Sequence, residues 1–356
     1  MTLVITHFPS PYQVELFNEV ERQQPGSLKV LYLFQSAEGR SWTGSVLAHT
    51  HAYLDDEQAM QAGARDVERA DLVVFNYYND ARAADLIRTR SGTGRPWCFW
   101  GERPGYRFPL LARVARMGRL APLYDGAQPI WGIGDWAVEA YRREFGSSRP
   151  YVNLPYYSNL ERFQATRPAF SAEQFTLLYS GALTHRKGVD LLARAFLRLA
   201  AESPRVRLRI MGEGEGGAAL KRIVDAHPRV EWVGFKDWRE LPQVYASAHA
   251  LCVPSRHDGW GLVVPEGLAS ALPTIATSRT GAALDLITTG GNGWLIDAND
   301  EQALYDAMRS AASLTEPEWR AMSERARASV AHHTLADGAR RFLNAVDAAL
   351  GCEVKR

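Results

Sequence analysis

The stretch 254-PSRHDGWGLVVPEGLASALPTIAT-277 predicts a strand end, a glycine-containing loop, a helix and a second strand in succession. The apolar run Ala250–Val253 before it is typical of a buried strand. Pro265 can open the helix because its missing N–H needs no partner there. Glu266 then lies in the first turn, where the helix dipole favours a negative charge. Pro273 ends the helix before the next strand begins.

The loop inside this stretch combines backbone amides that suit anions with acidic side chains. Gly259 and Gly261 let N–H groups approach a ligand without an intervening Cβ atom. Free amides at the start of a helix favour a phosphate group. Asp258 and Glu266 can accept hydrogen bonds from hydroxyl groups. Together these groups predict a ligand that carries phosphate and several hydroxyls, such as a sugar nucleotide.

Asp258 and Glu266, separated by seven residues, resemble the acidic motif of the family 4 glycosyltransferases, which are retaining enzymes of the GT-B fold. In that family the second acid holds the ribose hydroxyls and the first contacts the transferred sugar. The resemblance therefore implies a nucleotide-sugar site here. Asp258 replaces the commoner Glu, which could change the donor hydroxyl that is recognised. The loop residues that the resemblance assigns to the same donor site are Gly259, Trp260, Gly261 and Leu262.

A second segment, residues 175–190, resembles the Gly-Arg…Lys-Gly segment whose two cations hold the donor diphosphate in the same family. Gly181, Lys187 and Gly188 match, whereas Ala182 stands where the family usually has Arg. Arg186, next to Lys187, is therefore the candidate for the second positive charge. The resemblance adds three nucleotide-binding candidates at the ends of later strands: Gly212, Gly234 and Phe235.

Length and composition limit the class of protein. A chain of 356 residues is too long for one typical core, so two domains are expected. The net charge of +1 argues against a general nucleic-acid binder. No run approaches the roughly 20 apolar residues that span a membrane, and the start MTLVITHFPSPYQ lacks the features of a secretory signal. We therefore expect a cytoplasmic protein with no nucleic-acid partner.

Cysteine and histidine usage predicts neither disulfides nor a metal site. Cys98, Cys252 and Cys352 are odd in number, and the first two lie in strand-like runs, which is typical of free thiols in a reducing compartment. His49 and His51 have no acidic or Cys partner at ligand spacing, so a loop is preferred over a metal centre. We predict no metal and no cofactor.

Alternating strand and helix patterns predict an α/β fold. The resemblance specifies GT-B architecture, with two Rossmann-like doubly wound domains that face a central cleft. We predict an acceptor-binding domain over residues 1–164 and a nucleotide-sugar-binding domain over 165–334. Residues 335–356 form a C-terminal helix that crosses back to the first domain. Gln35–Asp55 is predicted as a long irregular loop, either part of the acceptor site or simply mobile.

The first domain lacks one residue that the resemblance leads us to expect. Many family 4 enzymes carry a His just after the strand that here ends near Trp100, at the sheet edge where α/β proteins bind ligands. Glu102 and Arg103 are the polar candidates in its place, and we predict a catalytic role for Glu102. A surface turn with a local ion pair is the alternative.

The segment 106-YRFPLLARVARMGRLAPLY-124 interleaves basic and apolar residues and contains no acid. Such a helix can lie on an anionic membrane with its arginines at the headgroups. It can equally pack its apolar side on the sheet. The arginines of the membrane hypothesis are Arg107, Arg113, Arg116 and Arg119.

The resemblance implies a metal-independent hexosyltransferase that retains the anomeric configuration. It would move a sugar from a nucleoside diphosphate sugar to a saccharide or lipid-linked saccharide in cell-envelope or exopolysaccharide biosynthesis. Arg186, Lys187 and the loop amides would stabilise the leaving diphosphate. A sugar-nucleotide epimerase, which needs acid and base groups beside the sugar carbon, and an inactive saccharide- or nucleotide-binding protein are the alternatives. The sequence leaves the base, the sugar, the acceptor and the oligomeric state open.

Overall fold

The computed structural model describes residues 1–36, 46–105, 109–126, 128–165, 168–224 and 227–351. The chain divides into two units. Unit 1 contains residues 1–158 together with the last helix, and unit 2 contains residues 159–334. Each unit is built around one parallel sheet, and each is described by itself below.

Unit 1 has a seven-stranded sheet in the order β3-β2-β1-β4-β5-β6-β7. Its strands are β1 (Thr2–Thr6), β2 (Leu28–Tyr32), β3 (Thr50–Tyr53), β4 (Leu72–Phe75), β5 (Trp97–Gly101), β6 (Ile130–Gly132) and β7 (Tyr151–Asn153). Neighbouring strands pair in parallel. β1, β4 and β5 are buried at every residue, because helices cover both faces of a parallel sheet and select continuous apolar runs.

Helices connect these strands. They are α1 (Pro11–Gln23), α2 (Glu57–Arg69), α3 (Ala81–Gly92), α4 (Pro109–Arg119), α5 (Ala121–Asp125) and α6 (Asp135–Phe145). Residues of α2, α3, α5 and α6 bury against one side of the sheet, with Phe75, Trp97 and Phe99 among the strand residues that they cover. This packing gives unit 1 its own hydrophobic core.

Unit 2 has a six-stranded sheet in the order β10-β9-β8-β11-β12-β13. The strands are β8 (Phe175–Ser180), β9 (Val206–Met211), β10 (Val230–Gly234), β11 (Ala250–Val253), β12 (Thr274–Thr277) and β13 (Gly293–Ile296). The helices are α7 (Glu161–Gln164), α8 (Val189–Glu202), α9 (Gly217–Val224), α10 (Leu241–Ala246), α11 (Val263–Ala269), α12 (Gly281–Leu286), α13 (Glu301–Ala312) and α14 (Glu316–Ser329). Its core includes Phe196, Ile210 and Met308, where α8 and α13 pack on the sheet.

The last helix, α15 (Leu335–Gly351), packs against α1 in unit 1. Its Phe342 is fully enclosed, and the ring centroids of Phe17 and Trp131 lie 6.3 and 5.6 Å away. The division between units falls at residues 158 and 159, earlier than the predicted boundary at 164 and 165. The reason is α7, which lies before the predicted boundary but packs against α10 and α11 of unit 2.

The predicted loop Gln35–Asp55 requires a correction. Residues 37–45 lie outside the described part of the chain, but Thr50–Tyr53 forms the edge strand β3 and pairs with β2. His49 is buried before this strand, with its Nε2 2.9 Å from the Tyr32 hydroxyl and its Nδ1 2.7 Å from Asn18 Oδ1. Burial lowers the pKa of His49 to about 4. His49 therefore serves packing.

Both sheets place a topological switch point at their centre. Chain order reverses between β1 and β4 in unit 1, and between β8 and β11 in unit 2. Open α/β sheets bind ligands outside the carboxyl ends of the strands at such points. In each unit, the loops that follow the two strands at the switch point are therefore the expected place of a ligand site.

Gly338→Ala tests the packing of α15. A Cβ atom at Gly338 would lie 2.6 Å from Cγ of Tyr157, a fully buried ring. We expect the substitution to lower the free energy of unfolding by about 1–3 kcal/mol, measured by urea denaturation. The control is Gly118→Ala in α4, where no atom lies within 4 Å of the added Cβ. Equal stability of the two variants would contradict close packing of α15.

Candidate functional site

The loop after β8 lies at the switch point of unit 2 and turns back on itself. Residues His185–Lys187 form one 3-10 turn, and Gly188, with a φ of +69°, is the N-cap residue that directly precedes α8. A Cβ atom at Gly188 would lie 1.9 Å from the carbonyl oxygen of Pro254. Only glycine satisfies both the left-handed backbone and this close approach to the loop after β11.

The loop after β11 is fastened to the loop after β8 by Arg256. Its guanidinium donates two hydrogen bonds to Asp190 in α8, at 2.6 and 2.7 Å. It also donates to the carbonyl of His185 at 2.6 Å and to Asn299 Oδ1 at 2.8 Å. The Arg256 backbone N–H bonds the carbonyl of Arg186 at 2.8 Å. The sequence provides little indication of this Arg256–Asp190 contact, because it shows only one Arg in a loop and one Asp two residues after Gly188.

Lys187 and Asp258, predicted from separate segments, are in direct contact. The Lys187 ammonium bonds Asp258 Oδ2, and both side chains are largely shielded, at 16% and 12% exposure. Arg186 Nη1 lies 3.7 Å from Asp258 Oδ1 and donates to the carbonyl of His257 at 2.9 Å. The cations of Lys187 and Arg186 lie on either oxygen of the Asp258 carboxylate, so the three side chains together carry a net positive charge. The carboxylate can still accept hydrogen bonds from hydroxyl groups.

Glu266 lies on α11 and is 9% exposed. The Tyr245 hydroxyl is 3.1 Å from Glu266 Oε2 and 3.0 Å from Ser180 Oγ. A phenol has one proton, so Tyr245 donates to the carboxylate and accepts from Ser180. Burial, and then the charge of Glu266, raise the pKa of Tyr245 well above its ordinary value. Sequence reasoning missed Tyr245, because an aromatic residue in an apolar helix reads as core.

The helix that carries Glu266 begins earlier than predicted. α11 starts at Val263, so Pro265 is its third residue and does not open it. Proline is tolerated there because the first four N–H groups of a helix have no intrahelical partner. Glu266 still lies in the first turn, and Leu262 immediately precedes the helix.

The predicted glycines meet at adjacent strand ends. The Gly181 N–H bonds the Met211 carbonyl at 3.0 Å, and the Gly212 N–H bonds the Gly234 carbonyl at 2.9 Å. A Cβ atom at Gly212 would lie 2.0 Å from the Gly181 oxygen. Phe235 follows with half of its surface exposed. These residues therefore form one edge of the sheet, at the carboxyl ends of β8, β9 and β10.

The loop of Asp258 is held by the turn after β12. Asp258 N–H bonds the Arg279 carbonyl at 2.8 Å. Gly261 has a φ of +89°, and a Cβ atom there would lie 2.7 Å from Thr280 Cγ2. A Cβ atom on Gly281 would lie 2.4 Å from the Gly259 oxygen.

The side chain of Trp260 lies inside unit 2. It is 2% exposed, and its indole stacks on His333 with ring centroids 5.9 Å apart. Because the ring packs within the protein, only the backbone of Trp260 stays a predicted donor contact.

Glu102 lies at the end of β5 in unit 1, and its side chain is exposed. Its backbone carbonyl accepts a hydrogen bond of 2.6 Å from the Tyr141 hydroxyl. The guanidinium of Arg103 lies 4.3 Å from the centre of the Trp136 ring. The backbone of this turn is thus fixed by Tyr141, and the Glu102 side chain lies at the surface.

The basic segment contains α4, a helix whose apolar side chains are exposed instead of buried. Arg107 lies outside the described residues, and Arg116 is 6% exposed with two hydrogen bonds of 2.9 Å to Glu144. The prediction that Arg116 reaches a membrane is therefore wrong, because its charge is already neutralised inside unit 1. Arg113 and Arg119 are exposed. The apolar side chains point outward: Leu110, Leu111, Val114 and Met117 are 76%, 69%, 67% and 48% exposed.

The described part of the chain contains neither a metal-ligand cluster nor a membrane-spanning helix. Among the described residues, no group of three or more His, Cys, Asp or Glu side chains could hold a metal ion. Within those ranges no helix is both long and apolar enough to cross a bilayer.

Comparison with known families supports the prediction for unit 2. Residues 162–329 match the family model described as glycosyl transferases group 1. The chain is 29% identical over 335 residues to D-inositol 3-phosphate glycosyltransferase of Xylanimonas cellulosilytica, covering 80% of this chain and 73% of that protein. It is 25% identical over 194 residues to a GDP-mannose-dependent monoacylated alpha-(1-6)-phosphatidylinositol monomannoside mannosyltransferase of Corynebacterium glutamicum, covering 49% and 50%. The chain spans about a quarter to a half of several curated relatives.

Solved structures share the whole fold. The crystal structure of Anabaena Alr3699/HepE in complex with UDP has a TM-score of 0.79 and 14% identity, covering 98% of this chain and 99% of that chain. At this identity the likeness shows the fold alone. The predicted GT-B fold class, with two parallel sheets and their helices, is confirmed.

Tyr245→Phe tests the buried contact with Glu266. The change leaves Glu266 and Ser180 without the phenol hydroxyl inside the protein, so we expect a loss of about 1–3 kcal/mol in unfolding free energy. Tyr305→Phe is the matched control, since its hydroxyl bonds the half-exposed Glu202, and should cost less than about 0.5 kcal/mol. Chemical denaturation measures both. A larger loss for the control would contradict the buried pairing.

Proposed function

We propose that this chain, whose residues 162–329 belong to the glycosyl transferases group 1 family, transfers a sugar from a nucleoside diphosphate sugar to a saccharide or lipid-linked saccharide. The transfer retains the anomeric configuration. The observation that carries the proposal is the contact of Lys187 with Asp258 at the switch point of unit 2. A buried Glu266 lies on α11, the helix that follows the loop of Asp258. A cation for phosphate and two carboxylates for hydroxyls are the groups that such a donor requires.

Each donor group has a proposed partner. Lys187 and Arg186 bind the diphosphate, since both lie on the 3-10 turn after β8 and retain net positive charge around Asp258. Asp258 accepts a hydroxyl of the transferred sugar, and Glu266 accepts the ribose hydroxyls. Gly181, Gly212 and Gly234 allow the donor to approach the backbone at the same strand ends. The loop backbone of Gly259, Gly261 and Leu262 and the exposed ring of Phe235 are further proposed contacts of the donor.

The proposed reaction proceeds on one face of the donor sugar. The acceptor oxygen forms a bond to the anomeric carbon as the bond from that carbon to the diphosphate oxygen breaks. The acceptor proton passes to the departing diphosphate. Negative charge therefore grows on the leaving phosphate, where Lys187 and Arg186 stabilise it more in the transition state than in the bound donor. These cations supply the charge that a metal ion supplies in other transferases, so we propose a metal-independent hexosyltransferase.

We assign acceptor binding to unit 1. The side chain of Glu102, which is exposed there, is the proposed contact of an acceptor hydroxyl. An epimerase of the same fold would instead need acid and base groups beside a sugar carbon. Chromatography of the reaction separates the two activities, because transfer yields a glycosylated acceptor and free nucleoside diphosphate.

Lys187→Ala tests the diphosphate assignment. We expect calorimetry with UDP, GDP, ADP and dTDP to find one diphosphate that binds the wild-type protein, and its affinity should fall about 10- to 100-fold in the variant, as for loss of a charge-assisted hydrogen bond. Affinity for the matching nucleoside should hardly change, since it has no phosphate.

The control for this experiment is Lys221→Ala, which removes an exposed lysine of α9. It should leave diphosphate affinity unchanged. Equal diphosphate affinity of wild type and Lys187→Ala would refute the assignment, and binding of none of the four diphosphates by the wild type would refute the proposed donor.

We further propose that the enzyme works at the cytoplasmic face of a membrane, in cell-envelope or exopolysaccharide biosynthesis. The outward apolar side of α4, with Arg113 and Arg119 exposed on the same helix, supports this. No Asp or Glu occurs between Glu102 and Asp125, so the surface suits a bilayer with anionic lipids. The Corynebacterium relative, whose name specifies a phosphatidylinositol-based acceptor, is consistent with a lipid-linked substrate.

A double substitution tests membrane contact. Leu111→Glu with Val114→Glu should abolish most sedimentation with vesicles of phosphatidylcholine and phosphatidylglycerol, since charged side chains cannot enter the acyl region. Leu350→Glu, at another exposed Leu of unit 1, should sediment like the wild type. If the double variant sediments as fully as the wild type, α4 is an ordinary surface helix and the proposed membrane contact is refuted.

A further inference from the structure

The switch point of unit 1 carries aromatic rings where that of unit 2 carries ions. His7 directly follows β1, Tyr77 lies just beyond β4, and Phe34 lies just beyond β2. These strands are neighbours in the order β2-β1-β4. The three side chains therefore come from different parts of the chain and meet at one edge of the sheet. We call this set the aromatic rim.

The rings of the aromatic rim touch one another. His7 stacks on Tyr77 with centroids 4.3 Å apart and an interplanar angle of 14°. Phe34 meets His7 edge-on at 5.0 Å and 88°. Phe34 is 37% exposed, and His7 and Tyr77 are partly buried. The rim is thus a continuous ring surface that solvent reaches, in a sheet whose central strands are otherwise fully buried.

Hydrogen bonds hold the support of the rim in place. Asn76, between β4 and Tyr77, accepts from Thr6 Oγ1 at 3.0 Å and from Gln13 Nε2 at 2.6 Å. Its own amide donates to the Trp100 carbonyl at 2.9 Å. This network fixes the chain on both sides of the switch point. A rigid support of this kind lowers the entropy that ligand binding costs.

A cation also covers part of the rim. The guanidinium of Arg82 lies 4.6 Å from the centre of the Phe34 ring. It is held there by hydrogen bonds to Asp80 Oδ1 at 3.0 Å and to the Leu54 carbonyl at 2.8 Å. Polar N–H and carboxylate groups therefore border the rings, which gives the rim both an apolar surface and hydrogen-bonding groups.

The adjacent loop is poorly suited to phosphate. Between β1 and α1 the chain runs His7-Phe8-Pro9-Ser10, and α1 opens with Pro11. Pro9 and Pro11 have no N–H, and the Ser10 N–H already bonds the Phe8 carbonyl at 2.8 Å. A nucleotide would stack on the rings but would find few amides for its phosphates. A sugar ring needs only the rings and the polar border.

We propose that the aromatic rim binds a pyranose ring of the saccharide acceptor. The C–H face of the sugar lies against the rings, and its hydroxyls reach the imidazole of His7, the phenol of Tyr77 and the border at Asp80 and Arg82. Aromatic side chains with a polar end match a ligand that is apolar on one face and polar at its rim. The identification of this sugar as the acceptor rests on the proposed function, whereas binding itself does not.

Saturation-transfer NMR on the full chain tests the binding. The probes are the methyl α-pyranosides of glucose, galactose and mannose, each added alone. We expect saturation of the ring C–H protons of at least one probe with the wild type, and its loss in Tyr77→Ala. Tyr53→Ala removes a partly buried tyrosine at the end of β3 in the same sheet and should keep the signal. Phe34→Ala, at an exposed ring, gives a second variant if Tyr77→Ala fails to fold.

The outcomes separate this inference from the proposed transfer. Signal from no pyranoside with the wild type, or an undiminished signal in both rim variants, overturns the inference even if a nucleoside diphosphate binds unit 2. A nucleoside monophosphate that displaces the pyranoside from the rim also overturns the inference, because the rim would then bind a nucleobase. Pyranoside binding without binding of any diphosphate supports the rim and refutes the transferase proposal. With an active enzyme, Tyr77→Ala should raise the acceptor KM about tenfold and leave diphosphate affinity unchanged.

Discussion

The close approach of the loop after β8 to the loop after β11 is the constraint on which the site of unit 2 depends. Parallel pairing brings both strand ends to one edge, but only glycine at position 188 lets the chain pass the Pro254 carbonyl. Arg256 then closes the contact through Asp190. Removing one partner of such a shielded pair is costly because the other charge stays uncompensated. The same approach of the two loops places Lys187 in contact with Asp258.

The two units have the same kind of switch point in their sheets but carry different chemical groups beside it. Each sheet reverses its chain order once near the centre, and each presents its candidate site residues beside that reversal. In unit 2 these are a lysine and a carboxylate, which suit charged or hydroxylated ligands. In unit 1 they are rings on a hydrogen-bonded support. The same sheet arrangement can therefore carry different candidate sites, which differ in their loop residues.

Much of this architecture is visible in the sequence because buried parallel strands are continuous apolar runs. Asp258 and Glu266 could be singled out because they bracket a glycine-containing loop after such a run. Lys187 could be singled out by the resemblance of its segment to the Lys-Gly motif of the family. β3 could not, since an edge strand with the sequence THAY has little apolar surface to bury. Tyr245 and Arg116 show a second limit. Whether an aromatic ring or an arginine serves packing or a ligand depends on a partner distant in sequence, Glu266 in one case and Glu144 in the other.

The return of α15 to unit 1 has a consequence for how the protein is made. Unit 2 is an insertion between residues 158 and 335, so the ribosome completes it before α15 emerges. Until then the face of α1 that Phe342 covers, with Phe17 at its centre, is exposed to water. Unit 2 has a continuous chain and its own core, so it can fold during synthesis, whereas unit 1 must wait. The nascent chain therefore exposes an apolar surface that chaperones could bind, and this surface is covered once α15 packs against α1.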